Sequence, residues 1–349
     1  MLRDPLLPRA RSLRALTLLA VAPLCLAPLS VAHADEGDPP PEPIRIALLG
    51  VNDFEGSLGA STVKFAGTIE QLRAEHGEDN TLLLLGGDNL GFNTIGHPTL
   101  DGNAFAGNAD ILPTIEVMNA LDVAATAVGN HDYHYGAGPL LGEFADDAEF
   151  SWLSANTYKS NARVFAAYDT FEVGGVQVAV IGATTRDTPL VNPQALLAGH
   201  KFLDPVADVN ATAAALKALP DPPEVIVAVY HEGAKFTPGL STQARIVYNT
   251  SADVDAIFTA HTHGVYPPLD ADPGSPVTTR PVIQSGHGGT MVGEAVLTLD
   301  PVTHEVIGAT QDNKPLATAS DATLIAQYPR VAAVKSIVDA ADANWGPVP

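Results

Sequence analysis

Apolar residues in this chain gather into short runs that are nearly continuous, the signature of strands covered on both faces. The runs are Ile44 to Val51, Thr81 to Leu85, Ala124 to Val128, Val225 to Tyr230 and Asp255 to Ala260. Between several of them, apolar positions recur at helical spacing over Val63 to His76, Leu112 to Leu121 and Val206 to Leu219. That alternation predicts an α/β domain with largely parallel strands. A second group reads as antiparallel. Tyr168 to Val173 and Gln177 to Ala183 flank Gly174-Gly175, a two-residue hairpin signal, and Pro281 to Gln284 precedes Gly293 to Leu299. Two sheets are therefore expected. Gly91 to Asp110, rich in Gly, Asn and Pro, reads as a long functional loop, and Asp321 to Ala343 is helical in composition.

The N-terminus reads differently from the rest. Arg3, Arg9, Arg11 and Arg14 precede an apolar run from Ala15 to Leu29, and Ala32-His33-Ala34 supplies a small-x-small cleavage pattern. Residues 1–34 are expected to be a cleaved signal peptide, because the run is short for a bilayer span and is broken by Pro23 and Pro28. The expectation is thus a secreted or periplasmic protein with no stable membrane anchor. Residues 35–43 are acidic and proline-rich, an exposed lead-in to a domain over 44–349. Cys25, the single cysteine, falls in the leader, so core burial rather than disulfides must hold the mature chain together.

The formal net charge of −22 argues against nucleic acid as a partner. A field of that sign repels phosphates at long range, so an anionic ligand needs concentrated local positive charge. A metal cluster would supply it.

Each buried run ends in polar residues of one chemical kind: Asn52-Asp53-Phe54-Glu55, Gly87-Asp88-Asn89, Gly129-Asn130-His131-Asp132, His231-Glu232 and His261-Thr262-His263. Singly, an Asp or Asn after a strand is a turn residue and a lone His a surface or core histidine. Together they form a set, because the carboxyl ends of strands in open α/β sheets face a common crevice. Asp, Asn and His suit divalent ions such as Zn, Mn, Fe or Mg. His261 and His263, two apart, fall on one side of an extended backbone.

In this order the motifs resemble the calcineurin-like metallophosphoesterases, and within them the 5′-nucleotidase branch. Further matches are Met118-Asn119-Ala120-Leu121, Thr184-Thr185-Arg186-Asp187-Thr188-Pro189, and Gln284-Ser285-Gly286 with Gly289 and Gly293. The resemblance runs from about Ile44 to Pro349 and implies a two-sheet α/β-β/α sandwich, with mixed sheets flanked by helices. It also implies two divalent ions, drawn from Mn, Mg, Zn, Fe or Ca, with Asp88 bridging them about 3.5 Å apart. Asp53, Glu55 and His263 would complete one site, and Asn130, His231 and His261 the other. His131 would contact the scissile phosphate and assist the leaving oxygen. The substrate implied is a small phosphate ester of the nucleotide kind, and the family's second, base-binding domain is expected to lie outside these 349 residues, the sequence being either a truncated form of a two-domain protein or one without the usual nucleotide pocket. The oligomeric state is not written in the sequence.

Two positions depart from the family pattern. Glu55 stands where the family has His, which adds a hard oxygen ligand and should move preference from Zn toward Mn or Mg. His134 stands where the family has the Asp that orients the catalytic histidine, and Asp132 is a candidate to compensate. His287 is a candidate for phosphate contact, whereas His76, His97, His200 and His304 read as surface or loop residues. Alternatives remain open: a related hydrolase of cyclic nucleotides, sugar phosphates or sulfur conjugates, or a non-catalytic metal-binding protein.

Overall fold

The computed structural model describes residues 41–90, 112–233, 244–266 and 280–345. The leader with Cys25, the loop from Gly91 to Asp110 and His97 lie outside the described residues. Numbered along the chain, one sheet contains β1 (Ile44–Val51), β2 (Thr81–Leu85), β3 (Ala125–Ala127), β4 (Ser151–Leu153), β13 (Met291–Leu299) and β14 (Val306–Pro315). A three-stranded sheet holds β5 (Thr157–Lys159), β6 (Ala162–Arg163) and β9 (Lys201–Phe202). The remaining sheet contains β7 (Tyr168–Val173), β8 (Val176–Thr184), β10 (Val225–His231), β11 (Ala256–Thr259) and β12 (Val282–Ile283). The two large sheets run in the orders β14-β13-β1-β2-β3-β4 and β12-β11-β10-β8-β7. Both are mixed: β1 to β4 are parallel, with β13 antiparallel to β1 and β14 antiparallel to β13, and β8 and β10 to β12 are parallel with antiparallel β7.

The two-residue period of a strand sorts side chains into layers. Ile46 and Leu48 of β1 with Leu82 and Leu84 of β2 meet Val178 and Val180 of β8 and Val225 and Val227 of β10 in one buried cluster between the sheets. Their neighbours Leu49, Val51, Leu83 and Leu85 face outward onto Phe65 and Ile69 of helix Thr62–His76 and Val331 and Val334 of helix Pro329–Trp345. On the far side Ala179, Ile181, Ile226 and Ala228 meet Val209 and Leu216 of helix Pro205–Lys217. Full burial of a Val, Leu or Ile side chain contributes about 1.5–3 kcal/mol, which is what lets strands this short hold position. The result is the expected four-layer α/β-β/α sandwich.

The hairpin forms as its glycines predict: β7 pairs with β8 around Gly174 and Gly175, whose φ values of 60° and 81° belong to a turn that glycine adopts freely. One pairing expectation is corrected. Val282–Ile283 joins β11 in parallel, whereas Met291–Leu299 sits between β1 and β14 in the other sheet, so the two runs are not partners. The predicted tail helix is broken into Asp321–Gln327 and Pro329–Trp345, because Pro329 lacks the N–H that a continuous helix would need. His200 is buried rather than loop-exposed, with its Nδ1 3.3 Å from the Tyr133 hydroxyl. Among the described residues no helix is long and apolar enough to cross a membrane.

Candidate metal centre

The polar strand ends converge from both sheets. Asn52 to Glu55 follow β1, Asp88 follows β2, Asn130 and His131 follow β3, His231 ends β10, and His261 and His263 follow β11. All lie at carboxyl ends of parallel strands. Asp53 ties the two sheets at this rim, since its carboxylate accepts the backbone N–H of His261 at 3.0 and 2.9 Å.

Two groups of donors result. In the first, Asp88, His231 and His261 bring ligand atoms within 4.8 Å of one another. His231 Nε2 lies 3.0 Å from Asp88 Oδ2 and 3.0 Å from Asn130 Oδ1. Its Nδ1 is 2.9 Å from the Gly86 carbonyl, which fixes the ring with Nε2 facing the cluster. In the second group, His263 Nε2 lies 3.5 Å from both Asp53 Oδ1 and Glu55 Oε1. Two ligand atoms each about 2.1 Å from a shared cation are at most about 4.2 Å apart, so both groups are close to the spacing a divalent ion requires. The buried Nδ2 of Asn130 has no hydrogen-bond partner while its Oδ1 turns toward His231, as an amide does when its oxygen is the ligand. The donor set therefore fits divalent cations.

Charge tells the same story. Burial works to depress His231, yet the Asp88 charge and hydrogen bond outweigh it and push the imidazole up to about 10. Burial likewise works to raise Asp88, but His231 and His131 bring its carboxyl below the ordinary range. A positive charge is stabilised between these side chains, and a divalent ion bound to Nε2 would take that place. Burial lowers His261, with the His231 charge adding to it, whereas the hydrogen bond to Asp53 raises His263. Glu55 is raised by burial against the pull of His263. The Asp88 charge bears on both donor groups.

The backbone here is unusual. Asp53, Glu55, Asp88, His261 and His263 all have positive φ, from 50° to 68°. Left-handed backbone costs a non-glycine residue on the order of 1–3 kcal/mol and persists only where the surroundings impose it. Asn52 and Gln284 supply some of that imposition. Asn52 donates to Asp53 Oδ2 at 2.7 Å and accepts from the backbone N–H and hydroxyl of Ser285, both at 2.8 Å. Gln284 Oε1 accepts from the Thr262 hydroxyl at 2.9 Å and the Gly264 N–H at 2.7 Å, which shapes the His-x-His turn. Gly129 leaves room for Asp88: a Cβ there would sit 2.1 Å from Asp88 Oδ1.

His131 stands beside these groups, with Nε2 3.8 Å from Asp88 Oδ2 and the side chain 26% exposed. Its Nδ1 lies 3.0 Å from His134 Nε2, and the rings meet edge to face with centroids 4.4 Å apart. Burial first, then the neighbouring His131, lowers His134 to about 4, so at neutral pH it is uncharged and has one ring nitrogen able to accept a hydrogen bond. Asp132 does not compensate for the missing carboxylate. It is fully buried and receives backbone N–H groups instead. His287 is exposed and stacks on His263 with centroids 4.6 Å apart. His76 pairs with Glu294 and His304 with Glu224.

The depressed His134 has a consequence for stability. The unfolded chain takes up this proton near 6.5 and the folded chain near 4, so between those values the unfolded state binds more protons. Its contribution is complete above about 6.5 and is lost as pH falls toward about 4. His134→Gln cannot titrate, and its urea midpoint should fall less between pH ~7 and ~4.5 than that of the parent. Equal falls in both proteins would assign the acid sensitivity elsewhere.

Residues 58–265 match the calcineurin-like phosphoesterase family. The chain is 33% identical over 233 residues to a 5′-nucleotidase of Vibrio vulnificus strain CMCP6, in an alignment covering 62% of this chain and 40% of that one. It thus spans less than half the length of such curated relatives. Among solved structures, the calcineurin-like phosphoesterase YfkN from Bacillus subtilis superposes with a TM-score of 0.67 at 20% identity, covering 86% of this chain and 99% of the other. A 5′-nucleotidase precursor from Thermus thermophilus gives 0.63 at 23% identity, over 86% and 59%. At those identities the likeness is one of fold. The family match takes in most of the sandwich and six of the polar strand-end residues, and with the shared architecture it establishes that this chain belongs to the calcineurin-like phosphoesterase family.

Proposed function

We propose that the protein is an exported, metal-dependent hydrolase of small phosphate esters, 5′-nucleotidase-like in its chemistry. The observation that carries this reading is the convergence of Asp88, His231 and His261 beside the Asp53, Glu55 and His263 group. Asp88 would hold both of two divalent ions, with Asp53, Glu55 and His263 on one and Asn130, His231 and His261 on the other. When bound, such a pair neutralises phosphoryl oxygens and lowers the pKa of a coordinated water.

The rest falls to side chains. Gly86 fixes the ring of His231, and Asp53 and Gln284 hold the turn that aims His261 and His263. His131 presents Nε2 on the Asp88 side and, as imidazolium, can give a proton to the departing oxygen while His134 accepts from Nδ1–H. Export rests on the arginine-rich, apolar leader of residues 1–34. The nucleotide assignment rests on the likeness to the Vibrio enzyme.

Purified protein reconstituted with Mn, Mg and Zn in turn should hold close to two ions and hydrolyse phosphomonoesters, nucleoside monophosphates among them, by at least a hundredfold over the metal-free form. Elemental analysis and phosphate release measure the two quantities separately. Full metal content with no turnover of mono- or diesters would leave a metal-binding protein and overturn the hydrolase.

A further inference from the structure

Asp132 is adjacent to His131 in sequence but belongs to a different device. Its carboxylate has no exposed surface and is filled by four backbone donors. Oδ1 accepts the N–H groups of Asn89 and Leu90, each at 3.0 Å, and Oδ2 accepts those of Gly129 at 2.8 Å and Asp88 at 3.1 Å. Three of the four come from consecutive residues after β2, a concave run of N–H groups of the kind that binds anions elsewhere. Here the acceptor is a side chain of the protein itself.

The contacts run in both directions. Asp132 takes the backbone N–H of Asp88, and the Asp88 carboxylate takes the backbone N–H of His131 at 2.6 Å. Asp88 meanwhile has a φ of 53°, a left-handed conformation that Asp tolerates better than most residues but that still costs a non-glycine residue energy unless its surroundings impose it. Something must hold it there.

We propose that Asp132 is a positioning residue for the metal centre: by occupying the N–H nest of residues 88–90 and the Gly129 N–H, it fixes the loop that aims the Asp88 carboxylate. The inference rests on the metal-centre reading but not on catalysis. Asn at 132 would keep one acceptor oxygen and turn an NH2 donor onto N–H donors, so at least two of the four bonds would be lost and a donor clash added. Glu keeps both carboxyl oxygens.

Calorimetric titration of metal-free protein with Mn2+ tests this. Asp132→Asn should bind Mn2+ about 10–100-fold more weakly, the usual cost of losing a partner that orients a ligand, and Asp132→Glu should recover part of that loss. Val209→Ala, a buried truncation in helix Pro205–Lys217 away from the centre, controls for lost stability and should bind like the parent. Parent-like affinity in Asp132→Asn, or an equal loss in Val209→Ala, would overturn the proposal. A second measurement needs no variant. In metal-free parent protein the amides of Asp88, Asn89, Leu90 and Gly129 should exchange with solvent as slowly as those of β1 and β2, because Asp132 holds the loop before any ion arrives. Fast exchange of these four amides would refute the inference even if Asp132→Asn failed to fold. If the parent binds no Mn2+, the metal-centre reading falls and the positioning role falls with it, whereas a parent that binds Mn2+ but shows no turnover overturns only the hydrolase and leaves this test intact.

Discussion

Asp88→Asn is expected to release most of the bound metal and to lower phosphoester turnover by at least a thousandfold. Asp88 lies in one cluster with His231 and His261, its charge, like that of Asp53, reaches both donor groups, and its side chain is 1% exposed. Asparagine removes the charge that would offset the two proposed cations and leaves a single acceptor oxygen. Its NH2 group would compete for the position facing His231 Nε2, now 3.0 Å from a carboxylate oxygen. The buried imidazole loses its counter-charge at the same time, so the proton it holds near neutrality should leave, visible as a shifted ring resonance of the metal-free protein. Elemental analysis, turnover and that resonance are independent readings. An Asp88→Asn protein that keeps both ions and loses only turnover would show that another group bridges them.

His131→Ala should leave metal content unchanged while lowering turnover of alkyl phosphates by about 10²–10⁴-fold, the range a positioned general acid contributes. The side chain is partly exposed and packs beside the ligands, so truncation removes a proton donor without opening the core. Esters with acidic phenol leaving groups need little protonation and should lose far less. His134→Asp, placed in the same assay, gives His131 a negative partner in place of a neutral one. Imidazolium is then favoured, so the alkaline limb of the pH profile should move upward and alkyl phosphates should gain most. A uniform loss across leaving groups in His131→Ala would assign His131 to phosphate binding alone.

Much of this architecture was legible because burial on both faces leaves a plain mark. Ile44–Val51 and Thr81–Leu85 stand where the continuous apolar runs predicted them. The partition into two sheets was not legible strand by strand, since a run such as Val225 to Tyr230 carries the same signature in either sheet. β14 was missed for the opposite reason: Val306–Pro315 is an edge strand with mostly polar, half-exposed residues and no apolar rhythm. At the site, Asp53, Asp88, Asn130 and the histidines announce themselves by chemistry and place. Asp132 does not, because its partners are backbone N–H groups common to every residue. Nor does the left-handed backbone of Glu55, His261 and His263, which no local preference encodes and which tertiary contacts impose.

The bidentate capture of the His261 N–H by Asp53 makes the cleft a seam, with Asp53, Glu55, Asp88 and Asn130 on one bank and His231, His261 and His263 on the other. On the proposed assignment each ion takes ligands from both banks, so loading would be an assay of assembly. A chain whose sheets have not yet met, or have met one residue out of step so that side chains exchange faces, would present two partial donor sets and lose the proposed sites. A metal pair bound as proposed would thereby act as a late proofreader of folding, holding closed only those molecules whose halves have already found the right alignment.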